Sequence, residues 1–256
     1  MTEHTTRRYV HRGSDLSRII SISDGLFATV LTLLVLEVRL PETAMNADAV
    51  EAMLLLWPKL FSYLLTFMVA GTYWVAHHYD FQHIRRYDGR LQWMNLMFLM
   101  CIGLLPASTA WIGRAEGTRV LAWTVYALNM ALAGVMLAAV WGYAVARRAV
   151  DPQLHPRLVR YVGLRHVVAP AVFLVSIGVA IVAPSPAAFV TPLLISPLQR
   201  LLSRLHMDQV TPSDADEEDT ASAAGFHDLL WRLVSLLPVI GFVGWSLWLW
   251  LVAAAD

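Results

Sequence analysis

The chain has 256 residues, 57% of them hydrophobic and only 15% charged, which is far more apolar and far less charged than a soluble domain. Formal net charge is zero, so bulk electrostatics point to no nucleic-acid partner. A single cysteine, Cys101, excludes an intrachain disulfide and a multi-cysteine metal site, and it reads as a small buried hydrophobe.

Seven apolar segments appear in chain order, at about 20–40, 54–76, 91–112, 119–145, 163–183, 186–203 and 229–253. Most reach the roughly 20 residues that a bilayer core requires, so the fold class is all-α and polytopic. Pro184, Pro186, Pro192 and Pro197 crowd the sixth segment, where kinks are expected. The chain divides into a tail (1–17), a six-helix unit (18–205), an acidic linker (206–226) and a further hydrophobic helix (227–256). That last segment carries Trp231, Trp245, Trp248 and Trp250. It either crosses the membrane a seventh time or lies along the interface, and crossing is the expectation.

Arginines gather in the tail and in alternate connections, at Arg85, Arg86, Arg90, Arg147, Arg148 and Arg157 among others. The opposite connections hold few. This bias predicts a cytoplasmic N-terminus in a cell-membrane protein. The polar, arginine-rich start is not a cleavable signal peptide by pattern.

Within 18–37, RIISISDGLFATVLTLLVLE, the spacing Ser21-x-x-Asp24 has two readings. One is a capping box with Ser21 as N-cap. The other is a polar cluster with partners on neighbouring helices, because Arg18 and Asp24 are six apart and do not stack on one helix face. Beyond them Gly25, Thr29, Thr32, Leu33 and Leu36 recur at spacings of three and four and form one stripe. Such a stripe serves helix packing or lines a narrow path.

The run R-x-x-x-I-S-D-G-x-F-A followed by T-L-L-V-L-E resembles the first-helix signature of the transmembrane protein 175 family of potassium channels, R-x-x-x-F-S-D. Arg18, Ser23 and Asp24 are in register, with Ile22 where the family has phenylalanine. The resemblance continues through YWVAHH at 73–78, WMNLMFL at 93–99 and LLP at 104–106, and covers roughly 18–203. It implies a homotetramer whose first helices line a central pore, with side chains rather than a T-V-G-Y-G carbonyl filter making the constriction. The matching positions are Thr29, Thr32, Leu33 and Leu36. Thr29 departs from the branched alkyl residue usual there, and a hydroxyl ring lowers a dewetting barrier. The resemblance also implies that Arg18, Ser23 and Asp24, with Trp74, His77 and Asn95, form a network that holds the first helix.

Glu37 and Glu42, near Asp48 and Glu51, are candidates to concentrate cations at the outer mouth, or are simply a solvated loop. His77, His78, His83 and His166 have no haem-binding spacing, and no metal site is expected. There is no P-loop, G-x-G-x-x-G run or nucleophile–base constellation, so neither an enzyme nor a nucleotide partner is expected. The resulting expectation is a potassium-favouring cation channel in the lipid bilayer, with K+ as the permeant ion and no cofactor. The rivals are a proton-coupled secondary transporter and a non-conducting scaffold.

Overall fold

The computed structural model describes residues 11–12, 14–39, 48–114, 119–182, 188 and 191–207. Helix α1 runs Ser14–Leu34 and tightens into a 3-10 turn at Val35–Glu37. It is followed by α2 (Ala49–His83), α3 (Gly89–Gly103), α4 (Leu105–Arg114), α5 (Arg119–Ala146) and α6 (Pro156–Val182). A 3-10 turn at Thr191–Leu194 leads into α7, Ile195–Met207. Pro106 has no N–H to continue the ladder from α3, so α3 and α4 meet at a break around Leu104 and together make one span, Gly89–Ile112.

Among the described residues, five spans are long and apolar enough to cross a bilayer: Leu16–Glu37, Val50–His83, Gly89–Ile112, Val120–Ala146 and Pro156–Val182. They coincide with the first five apolar segments of the sequence, with longer helical ends. The sixth differs. Its helix, α7, has 13 residues and rises only about 20 Å, against about 30 Å of hydrocarbon. Pro192 opens the 3-10 turn, and Pro197 occupies the first turn of α7, where its missing N–H costs nothing. The linker beyond Met207, the tryptophan-rich seventh segment and Glu42 lie outside the described residues.

Side-chain caps start the helices that follow acidic residues. Asp48 accepts from the amides of Val50 and Glu51 at 2.9 and 2.8 Å, so it caps α2. Asp88 accepts from the Leu91 amide at 3.0 Å with one oxygen and from the Tyr143 hydroxyl at 2.7 Å with the other. Burial raises the Asp88 pKa, but those two bonds outweigh it and hold the carboxyl below its usual range. The stabilisation is therefore present at neutral pH and lost as pH falls through the depressed pKa.

One hydrophobic core joins α1, α2, α3, α5 and α6 around Phe27, Phe98, Tyr126 and Phe173. A second, around Phe81, Ile84, Leu91 and Trp141, sits at the arginine-rich end. That end is tied by main chain. Arg85 donates to the Ala149 carbonyl at 2.7 Å, Asp151 donates to the His83 carbonyl at 2.9 Å, and Arg85 pairs with Asp151 at 2.7 Å. A short antiparallel ladder pairs β1 (His11–Arg12) with β2 (Arg86–Tyr87), so the tail is anchored before α1 begins.

Close approach of α5 to α6 depends on Gly134. A Cβ there would lie 2.6 and 2.7 Å from Cγ and Cδ of Pro170 and 3.0 Å from the Tyr73 hydroxyl. The proline ring is rigid, and the Tyr73 hydroxyl is held by the Met130 carbonyl at 2.7 Å. Gly134→Ala is expected to destabilise the bundle by about 1–3 kcal/mol through overpacking. Gly142→Ala on the same helix, where a Cβ meets nothing within 4 Å, is expected to be neutral or slightly stabilising. Thermal unfolding of the two variants in detergent compares them directly.

Candidate pore-lining helix and its polar anchor

Helix α1 is two-faced. Ile19, Ser23, Phe27, Val30 and Leu34 are buried, at spacings of four, four, three and four, and pack it onto the rest of the bundle. Ile22, Gly25, Ala28, Thr29, Thr32 and Leu33 are exposed on the other side. Leu33 and Leu36 are 43% and 51% exposed. An apolar helix that turns branched alkyl and hydroxyl groups away from its own bundle presents that face to lipid, to other subunits or to a pore. Leu36 belongs to the 3-10 turn rather than to α1, so its offset from Leu33 departs from the α-helical stripe read in the sequence.

The two threonines have a defined polarity. Thr29 Oγ1 donates to the Gly25 carbonyl at 2.8 Å, and Thr32 Oγ1 donates to the Thr29 carbonyl at 2.8 Å. Each hydroxyl proton is thus committed to its own helix. What remains outward is oxygen lone pairs, which accept but do not donate.

The anchor lies on the buried face. Ser23 Oγ donates to the Ile19 carbonyl at 2.9 Å, and Asn95 Nδ2 donates to Ser23 Oγ at 3.2 Å. Asn95 Oδ1 therefore accepts, and His77 Nε2 donates to it at 2.8 Å. This single directional chain runs α2 to α3 to α1. The His77 ring is stacked against Phe81 at 4.4 Å and Phe98 at 5.4 Å, which fixes its plane. All three polar residues are almost completely buried. Nearer the surface, the Trp74 indole donates to Asp24 at 2.8 Å and stacks on His78.

The structure thus brings together Ser23, Asn95 and His77, and separately Asp24 and Trp74. It does not bring Arg18 to them. Arg18 is exposed on the outward side of α1, in line with Gly25 and Thr29. Ser21 is not an N-cap, because α1 begins at Ser14, seven residues earlier. Its hydroxyl donates to the Ser17 carbonyl at 2.9 Å within the helix. Glu37 lines a cavity of about 60 Å³ with Arg39 and Lys59.

A second buried polar pair was not legible beforehand. His166 on α6 lies 3.0 and 2.9 Å from the two carboxylate oxygens of Asp80 on α2. Asp80 follows His77 by one helical turn, which is the only local hint. Its partner is 86 residues away. The histidines do not converge on one point: His78 bonds Gln82 and His83 bonds the Tyr79 carbonyl. Among the described residues, no group of three His, Cys, Asp or Glu is placed to hold a metal ion.

Residues 18–106 match the family described as endosomal/lysosomal potassium channel TMEM175. A potassium channel of Streptomyces collinus is 28% identical over 173 residues, covering 66% of this chain and 84% of that protein. A potassium channel of a Chryseobacterium species is 34% identical over 99 residues, and the match spans half of its length. The human endosomal/lysosomal proton channel TMEM175 is 29% identical over 105 residues, with 21% of its length matched. The crystal structure of a TMEM175 homologue from Chamaesiphon minutus superposes with a TM-score of 0.63 at 24% identity, covering 76% of this chain and all of that one. That likeness concerns the fold. The matched stretch runs from Arg18 through the polar anchor to Pro106 at the α3–α4 break, and over these residues the chain, a multi-pass membrane protein, is similar to the TMEM175 family.

Proposed function

We propose that the chain is a potassium-favouring cation channel, assembled as a homotetramer in which α1 of every copy lines a central pore. The observation that carries this reading is the outward face of α1. It is the least paired surface of a helix otherwise locked into its bundle, and its hydroxyl oxygens can accept from water or coordinate a cation but cannot donate to an anion. Fourfold repetition would stack rings of Thr29, Thr32, Leu33 and Leu36 over about 10 Å of axis. The buried Ser23–Asn95–His77 chain then positions that helix, and Trp74 orients Asp24 at its end. Arg18, on the outward side, would find its partner on a neighbouring copy. Glu37 and Glu42 would act at the outer mouth.

Relatives are named for potassium and for protons. No titratable side chain occurs from Gly25 to Leu36. That favours a metal cation over a protonatable relay, and it disfavours a proton-coupled carrier. The arginine-rich end, with the N-terminus, faces the cytoplasm on the charge-bias argument. Conduction of this kind is passive and needs no nucleotide or redox cofactor.

The test is electrical. Purified protein is reconstituted in planar bilayers with potassium on one side and sodium on the other. The expected result is a current reversing near the potassium equilibrium potential. Reversal near zero would mean a pore without discrimination and overturn the potassium preference. No current from a folded tetramer would overturn the channel reading in favour of a scaffold.

A further inference from the structure

We infer that the arginine faces of α6 and α7 form a binding surface for anionic phospholipid headgroups. The inference rests on the membrane placement of the helices and is independent of whether the chain conducts.

On α6 the exposed residues Arg157, Arg160, Leu164, Val167, Ala171 and Leu174 recur at spacings of three, four, three, four and three. They form one stripe, apolar along the span and basic at its end. The two arginines therefore continue the exposed side of the helix, one and two turns before Leu164. On α7 the exposed residues Leu198, Leu201 and Leu205 form a second apolar stripe. Exposed Arg200 and Arg204 flank it, one position before Leu201 and Leu205. The side that α7 turns to the protein carries Ile195, Ser196, Gln199, Leu202 and Ser203, so its leucine side remains outside.

The basic ends of the two stripes lie at one level. Gln199 Nε2 lies 3.5 Å from the Arg165 carbonyl, and α7 returns along α6. Five residues beyond Gln199 is Arg204, and five residues before Arg165 is Arg160. Neither α6 nor α7 contains an aspartate or glutamate. The surface thus combines acyl-chain contact with guanidinium groups at headgroup depth. Arginine suits phosphate because its planar fork donates two parallel hydrogen bonds, and its stem can lie along apolar surface while the charge reaches water. Fixing topology requires only that arginines be present at this end; it does not require them to fall in register with the lipid-facing leucines. Amphipathic basic helices of this composition bind anionic membrane surfaces.

The test uses the full chain in mixed nanodiscs of phosphatidylglycerol and phosphatidylcholine, with native mass spectrometry counting the lipids retained. The expected result is a preference for phosphatidylglycerol of roughly tenfold or more. R157Q/R160Q/R200Q/R204Q should abolish it, the all-lysine version should keep part of it, and R147Q/R148Q at the α5–α6 turn should keep it all. Should the glutamine variant fail to fold, the wild-type lipid preference and the lysine variant still decide. Equal retention of both lipids would overturn the inference, as would equal loss in R147Q/R148Q, which would mean a generic charge effect. Competition by inorganic phosphate alone would overturn it in favour of a soluble anion. A preference that emerges only after the acidic residues of 208–219 are neutralised would assign the surface to the chain's own linker instead.

Discussion

Asn95→Leu is expected to destabilise the subunit by roughly 2 kcal/mol, and His77→Phe/Asn95→Leu by less than Asn95→Leu alone. The first substitution removes the acceptor of the His77 Nε2 proton and the donor to Ser23 Oγ, both at full burial. Interhelical hydrogen bonds in membranes average only about 0.6 kcal/mol, because the unfolded reference also finds partners. The larger part of the cost is the orphaned imidazole N–H, which no water reaches, and leaving such a group unpaired costs about 1–3 kcal/mol. The double variant replaces that imidazole with a ring able to stack between Phe81 and Phe98, so the orphan disappears. Ser23→Ala is expected to cost less than Asn95→Leu, since it leaves one Asn95 amide N–H without its acceptor but keeps Asn95 Oδ1 engaged with His77. Thermal unfolding of the three variants in detergent gives the order. Strictly additive losses in the double variant would show that His77 and Asn95 act independently and that no directional chain exists.

The membrane spans were legible because apolar length is a strong signal, and α1 through α6 fall where hydropathy places them. Ends were less legible for identifiable reasons. Residues 14–20 are compatible with helix, so α1 starts before the serine that resembles a cap, and Ser21 turns its hydroxyl back onto Ser17. Prolines at 192 and 197 do not prevent a helix but fix where it starts, and α7 is therefore shorter than its apolar run. The polar residues that meet as Ser23, His77 and Asn95 were named through the family resemblance, since nothing in local spacing pairs them. Asp80 with His166 shows the limit of that route. The pair carries no short motif, and only the tertiary fold brings Asp80 of α2 and His166 of α6 together. The 3-10 turn under Leu36 was equally hidden, because TLLVLE reads as a continuous helix by composition.

Thr29→Ile and Leu33→Ala are expected to move conduction in opposite directions. Both positions are exposed in the single subunit, and neither supports its core. Folding should therefore survive both changes, and altered current would report on the pore itself. Isoleucine at 29 removes an outward lone-pair acceptor from every copy and adds alkyl bulk. In the proposed tetramer this would make a fourfold apolar ring that sheds water more readily, and the current is expected to fall at least about tenfold, equivalent to about 1.4 kcal/mol of added barrier. Thr29→Ser keeps the acceptor and is expected to conduct nearly as the parent does. Alanine at 33 removes the isobutyl group four times over. If Leu33 lines the proposed pore, this is expected to raise conductance and to draw the reversal potential under opposed potassium and sodium toward zero, because a wider ring would strip less of the hydration that distinguishes the two ions. Leu128→Ala, on an exposed face of α5, is the matched control and is expected to change neither quantity. If Thr29→Ile and Leu33→Ala leave the current as unaltered as Leu128→Ala does, the outward face of α1 lies against lipid or a neighbouring copy, and the pore must be sought on another helix. If both reduce it alike, α1 packs at a subunit interface whose fit matters more than its chemistry. Only opposed effects, with the acceptor retained in the serine variant, place the permeation path along Thr29 and Leu33.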